Sequence, residues 1–242
     1  MPLSSTLQRG GFAAAAALCS VLSSAQAATF SSLATVDLTF LSASSAGSLD
    51  GLSAIFQSAG GELITTFGDA SATPFADGSG FASSLPLPDY SVIVDLTGEA
   101  GENGAAGFVS AEADVVANIL FANDTSETIT LQYDLQWLVD SFITLDGQLP
   151  VEDAFAFAEL ALELDGQTVF EQSAFADQVM MAEAFEGFDL LEIVLAPNSE
   201  RNLSIFAIVG GDALAEVPLP AAAFTFLIGA AGLGSLRRRR PA

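Results

Sequence analysis

The sequence predicts an all-β protein: an antiparallel β-sandwich of the jelly-roll or Ig-like kind, preceded by a signal peptide and followed by a single C-terminal transmembrane helix. Three observations lead there. Hydrophobic residues make up 51% of the chain and phenylalanines occur throughout, so a core can form even in a strongly acidic protein. Several stretches place apolar residues at every second position, the period of a strand with one buried face. Clusters of Asn, Asp, Gly and Pro separate those stretches at short intervals, as the turns of an antiparallel sheet require.

Residues 1–27 read as an export address. Arg9 supplies a weak positive region, Phe12 to Leu22 an apolar run, and Ala25-Gln26-Ala27 a small-x-small cleavage site, so signal peptidase is expected to cut after Ala27. Cys19 is not placed for lipid attachment. Leu18 stands before it where a small residue is expected, and the apolar run continues past it.

Residues 28–216 are of the size of one domain, or at most two small ones. Upstream, 42–88 are rich in Ser, Gly and Ala, contain Pro86 and Pro88, and read as strands joined by long loops. Strand patterns follow at Tyr90–Thr97 and Gly107–Ala122. The clearest is Glu127–Trp137, where Ile129, Leu131, Tyr133, Leu135 and Trp137 alternate with Thr130, Gln132, Asp134 and Gln136. That register puts Trp137 on the core face. Val151–Leu164 sets Phe155 and Phe157 opposite Ala154, Ala156 and Ala158, a strand apolar on both sides and so central in its sheet. Thr168–Gln172, Asp189–Leu195 and Asn202–Val209 complete the set. Asn123-Asp124-Thr125, Asp146-Gly147, Asp165-Gly166 and Pro197-Asn198-Ser199 mark turns. Phe175–Phe185 fits neither period and reads as a short helix. The sequons at Asn123 and Asn202 are explained by the turn-forming role of Asn.

Residues 217–242 form a tail in three parts: Val217-Pro218-Leu219-Pro220-Ala221, an apolar stretch to Leu236, and Arg237-Arg238-Arg239-Arg240. Val217 to Leu236 carry no charge, but the two prolines shorten the regular helix to about 16 residues, a marginal span. The arginines stop the chain on the cytoplasmic side, leaving everything before Val217 outside. This tail is similar to the C-terminal sorting signals of the PEP-CTERM class, and its motif resembles the VPLPA-CTERM variant. The resemblance implies that an exosortase, a membrane transpeptidase, reads the motif, removes the helix and passes the protein to the surface. The alternative is a plain membrane anchor in which Gly229, Gly232 and Gly234 form a packing face. A weaker resemblance joins Phe121-Ala122-Asn123-Asp124-Thr125 and Leu195-Ala196-Pro197-Asn198-Ser199, each followed by a strand, to the texture of surface β-sandwich proteins with such tails.

All 30 carboxylates lie between residues 28 and 216 against one basic residue, Arg201, which leaves that segment at 1 − 30 = −29. Such a surface repels nucleic acid and suits a saline or calcium-containing exterior. Histidine and lysine are absent and the single cysteine lies in the export address, which excludes Ser-His-Asp triads, His-ligated metals, Schiff bases, thiolate nucleophiles and disulfides from the domain. The expectation is a non-enzymatic protein with no cofactor. Calcium is the one metal the residue types favour, with Asp146, Glu152, Asp153 and Asp165 as weak candidate ligands.

The expected function is that of a structural or adhesive component of a Gram-negative type cell surface or extracellular matrix. Its partners are signal peptidase, the exosortase-type protease and extracellular polysaccharide, and it passes transiently through the inner membrane. A carbohydrate- or calcium-binding module is the alternative. A carboxylate-dependent glycoside hydrolase comes third.

Overall fold

Ten strands build two facing antiparallel sheets in the computed structural model, which describes residues 27–81, 87–101, 105–145 and 152–216. In chain order they are β1 (Ala28–Ser44), β2 (Leu52–Gly68), β3 (Ala70–Phe81), β4 (Asp89–Ala100), β5 (Gly107–Asn123), β6 (Ile129–Leu145), β7 (Glu152–Leu164), β8 (Gln167–Ala176), β9 (Ala182–Leu195) and β10 (Ser199–Ala215). One sheet has the order β3-β4-β1-β6-β9, the other β2-β5-β10-β7-β8. The first lies over the second with β4 across β5 and β10, β1 across β10 and β7, and β6 across β7 and β8. The described residues contain no helix.

Alternation decides which side chains enter the space between the sheets. In β6, Ile129, Leu131, Tyr133, Leu135 and Val139 are buried, and in β10 Leu203, Ile205, Ala207 and Val209. Two buried serines tie the sheets together: the Ser32 hydroxyl donates to the Gly210 carbonyl and the Ser141 hydroxyl to the Ala174 carbonyl, each at 3.0 Å. Gly210 and Gly211 allow a close approach in the middle of β10. A Cβ on Gly211 would stand 2.4 Å from the Phe30 ring, and one on Gly210 2.3 Å from Phe157 on the opposite face.

The pairing is nested. β7 pairs with β8, β6 with β9 and β5 with β10, as though one long hairpin had been rolled up, and β1 pairs with β4 where a strand following β10 would lie. A consequence concerns the chain ends. Ala28 is opposite Ala100 and Leu145, and Ala215 is opposite Gly107 and Glu152, so β1 begins and β10 finishes at the same end of the sandwich.

Three expectations change. Phe175–Phe185 is not a helix: β8 runs to Ala176 and β9 starts at Ala182, joined by a turn in which the Asp177 carboxylate accepts the N–H groups of Val179 and Met180 at 2.8 Å. Those bonds, that from Met180 foremost, hold the Asp177 carboxyl below its usual range. The stretch 42–88, expected as strands joined by long loops, holds among its described residues two long strands, β2 and β3, with Asp69 alone between them. Asn202 sits inside β10, where its amide donates to the Ser204 hydroxyl at 2.9 Å, instead of making a turn. The sequence reading also passes over residues 28–41, which form most of β1 at the centre of its sheet.

Candidate functional site

The outer face of the β1–β6–β9 sheet carries an open concavity. Side chains alternate outward at Thr35 and Asp37 of β1, at Asp134, Gln136 and Leu138 of β6, and at Glu186 and Phe188 of β9. The register sets Asp37 and Phe188 on either side of Gln136, and Thr35 and Glu186 on either side of Leu138. Together they line an open groove of about 510 Å³. The Gln136 amide donates to Asp134 at 3.0 Å, which fixes both side chains in the groove. Phe188 is 84% exposed. An aromatic face beside an amide and three carboxylates can take a ring by stacking while accepting hydrogen bonds from its hydroxyls.

Trp137 supports this floor from beneath. It turns inward as its alternation predicts, half-buried, with its ring 5.1 Å from that of Phe170 on the facing sheet. Gly187, its neighbour on β9, leaves room for it, since a Cβ there would come within 2.7 Å of the indole. Phe155 and Phe157 point outward from β7, their rings 6.0 Å apart, while Ala154, Ala156 and Ala158 fill the core side. β7 has partners on both sides, as the doubly apolar pattern implies.

The weak calcium candidates do not converge. Asp146 lies outside the described residues. Glu152 and Asp153 open β7 and Asp165 follows its end, so a whole strand of about 40 Å separates them. Asp153 accepts from the Gln178 amide at 2.7 Å. Asp165 and Gly166 both have positive φ, 52° and 76°, the signature of a two-residue hairpin turn. The Asp165 carboxylate accepts the Asn202 N–H at 2.9 Å and pairs with Arg201 at 2.6 Å; the backbone bond first, then the guanidinium, hold its carboxyl below the usual range. Among the described residues no three acidic, His or Cys side chains form a metal cluster.

The address residues fall at or beyond the limits of description. Ala25, Val217, Pro218, Leu219, Pro220, Ala221 and Arg237–Arg240 lie outside the described residues, and Ala27 is the residue before β1. Among the described residues no helix is long and apolar enough to cross a membrane.

One organising residue exceeds what the sequence suggested. Asn123 is completely buried at the end of β5. Its amide donates to the carbonyls of Glu127 at 2.8 Å and Ala196 at 2.9 Å, with Leu195 at 3.3 Å, and its oxygen accepts the Thr125 N–H at 3.0 Å and hydroxyl at 2.7 Å. The Asn198 N–H closes the contact on the Thr125 carbonyl at 3.1 Å. The two turns that share a texture in the sequence are thus bound to each other, at the end of the sandwich away from the chain termini. The Asn-Asp-Thr run signalled a turn; its long-range partners had no signal in a single sequence.

Compared with known proteins, the chain matches no family model and no curated protein. Among solved structures, the secreted serine protease VesC from Vibrio cholerae is similar at 9% identity and a TM-score of 0.14, over 78% of this chain and 47% of that one. The lysenin pore follows at 8% identity and a TM-score of 0.12, over 68% and 49%. The chain spans about half the length of each, and likenesses this faint carry no argument about fold or activity.

Proposed function

We propose that this chain is an exported structural or adhesive component of the cell surface or its matrix, delivered by its C-terminal tail. In this reading an exosortase-type transpeptidase recognises Val217–Ala221 while Arg237–Arg240 hold the precursor in the inner membrane. One observation supports it best. The first strand begins at Ala28, directly after the expected signal cleavage, the last ends at Ala215, two residues before the motif, and both leave the sandwich at one end. A domain so built hangs from the membrane by a single end and presents the rest outward. Replacing Pro218 and Pro220 with alanine in the native host is expected to trap the precursor in the inner membrane, while the wild-type chain is released with Ala28 as its first residue. Unchanged release of the variant, or a mature chain beginning at Met1, overturns this reading.

In the same reading the sandwich is of the jelly-roll rather than the Ig-like kind, supported by the nested pairs β4·β1, β5·β10, β6·β9 and β7·β8, with β2 and β3 as additions at the margins. A second reading, binding of a neutral polysaccharide, is favoured by the groove at Phe188. Its carboxylates Asp37 and Glu186 are exposed on an open face, a setting suited to hydrogen-bonding a polyol rather than to protonating a glycosidic oxygen. Affinity electrophoresis through neutral polysaccharide gels is expected to show retardation of the wild type that Phe188→Ala abolishes. Equal mobility of the two proteins removes this reading.

A further inference from the structure

The sandwich has four strands at sheet margins, and they are finished differently. β9 carries four carboxylates, Glu183, Glu186, Asp189 and Glu192. β8 is short, 10 residues, and its pairing with β7 is interrupted by a register shift at Leu162/Glu163. β3 contains Pro74, which lacks an N–H to offer a new neighbour. Charge, brevity, irregular pairing and proline are the means by which proteins keep sheet edges from joining other chains. β2 has the least of them, a single charge on its inner face. It runs 17 residues in unbroken register along β5 on one side, with Glu62 as its single charge.

Its two halves also differ. Near Ser58, β3 closes over β2: the Ser58 hydroxyl donates to the Gly78 carbonyl at 2.9 Å, and a Cβ on Gly78 would stand 2.8 Å from that of Ser58. From Gly60 onward the strands part around a cleft of about 340 Å³ lined by Gly60, Gly61, Glu62, Pro74 and Ala76. Here both faces of β2 are exposed, with Leu63 at 71% and Phe67 at 79% on the outer face and Ile64 at 40% on the inner.

We propose that residues 62–68 of β2 seat the same segment of a second copy of this chain, edge to edge and antiparallel, across a twofold axis at Thr65. The segment is complementary to itself, because Leu63 and Phe67, both exposed on one face, lie symmetrically about Thr65, and charge selects the register. A domain at −29 repels its own copies on nearly every face, and a stretch with one carboxylate is where two copies can meet at least cost. Centring on Thr65 sets Leu63 against Phe67 of the second copy, twice over, and Ile64 against Thr66. It also sets each Glu62 against a glycine, Gly68, about 20 Å from the other Glu62 along the ladder. A register centred on Glu62 would set the two glutamates directly opposite each other. The twofold closes the assembly at a dimer, joining two β2-containing sheets into one. The pairing stands apart from sorting and from the groove, and its failure would leave both untouched.

Sedimentation of the exported mature protein, made in cells from the full chain, tests it. A dimer at micromolar concentration is expected, tightening as sodium chloride rises. Leu63→Asp with Phe67→Asp should weaken it at least 100-fold, and Phe188→Asp on the β9 margin should not. Because the altered side chains are exposed, thermal midpoints should stay close to wild type. Thr65→Cys in the otherwise unaltered chain supplies a measurement that does not rely on folding of the double variant: oxidation should yield a disulfide-linked dimer, and Asp189→Cys should not. A wild type that remains monomeric at high concentration, a dimer insensitive to the double substitution, or equal cross-linking at residues 65 and 189 overturns the proposal.

Discussion

The half of the sandwich away from the chain termini buries a cluster of aromatic rings, whereas the half beside them buries many alanines around fewer large side chains, Phe30, Leu96 and Ile143. Away from the termini, Phe40, Tyr90, Phe121 and Tyr133 cluster, with ring centroids 5.3 to 6.4 Å apart, among Leu131, Leu162, Leu203 and Ile193. Beside the termini the buried positions hold Ala28, Ala100, Ala111, Ala113, Ala154, Ala156, Ala174, Ala213 and Ser141, and the ring of Phe30 fits against Gly98 and Gly211. Interiors are close-packed, so small side chains require the sheets to approach and large ones hold them apart. By that argument the end away from the termini should be the thick end of the sandwich and the end beside them the thin one. The thick end tolerates no loss of volume, and the thin end tolerates no gain.

The largest effect should come from emptying the thick end. Phe121→Ala removes a fully buried ring that meets both Tyr90 and Tyr133, and should destabilise by about 3–5 kcal/mol in denaturant unfolding. A loss under about 1 kcal/mol would mean that the thick end can collapse and that the contrast with the thin end is false.

Filling the thin end comes next. A Cβ on Gly211 would meet Phe30 at 2.4 Å and the Phe155 carbonyl oxygen at 2.6 Å, and backbone cannot yield as a side-chain tip can. Gly211→Ala should cost about 3 kcal/mol through overpacking, though it adds one methyl group and buries apolar surface. A neutral result would show slack between the sheets.

The same contrast governs what the sequence revealed. Expected strands at Glu127–Trp137, Asp189–Leu195, Thr168–Gln172 and Asn202–Val209 cover the thick half of β6, β9, β8 and β10 and stop where the thin half begins. There the pattern inverts. Ser32 is buried while Leu33 faces out, Ser141 is buried while Phe142 is 46% exposed, and β7 buries alanines while Phe155 and Phe157 face out. A period-two search for hydrophobic residues loses its signal where small and polar residues do the packing, so the β8–β9 connection resembled a helix. β1 was legible, since Phe30, Val36, Leu38 and Phe40 are buried in alternation with Ser31, Asp37 and Thr39, but it was passed over. The groove was illegible for another reason: Asp37, Gln136 and Phe188 meet through strand register, which no one segment encodes. The Asp165-Gly166 turn needed only two adjacent residues and was read correctly.

Alkali should act on the thick end alone. Burial pushes the Tyr90 hydroxyl up to about 12, and burial pushes that of Tyr133 higher still. An unfolded tyrosine ionises near pH 10 while the folded one stays protonated, so the unfolded state binds fewer protons above that pH. Stability is therefore unaffected by these groups below about pH 10 and falls as pH rises beyond it, by about 1.4 kcal/mol for each tyrosine at pH 11. Unfolding midpoints measured from pH 8 to 11.5 should be level and then drop. A drop beginning well below pH 10 would assign alkaline unfolding to other groups.

The smallest effect sharpens the contrast most. Among the described residues neither tyrosine hydroxyl has a hydrogen-bond partner of acceptable geometry, although both are buried. The two hydroxyls interact with each other but form no well-made bond, so removal of one should release a desolvation penalty that offsets whatever the oxygen contributes to packing. Tyr133→Phe keeps the ring against Phe40 and Phe121, and should leave stability at neutral pH within about 1 kcal/mol of wild type or above it. It should also halve the loss seen at pH 11, because one of the two groups responsible is gone. The two readouts separate the roles of ring and hydroxyl. A loss of about 2 kcal/mol or more at neutral pH would show that the oxygen is bonded, for example to a trapped water, and that the thick end is held by a polar contact as well as by volume.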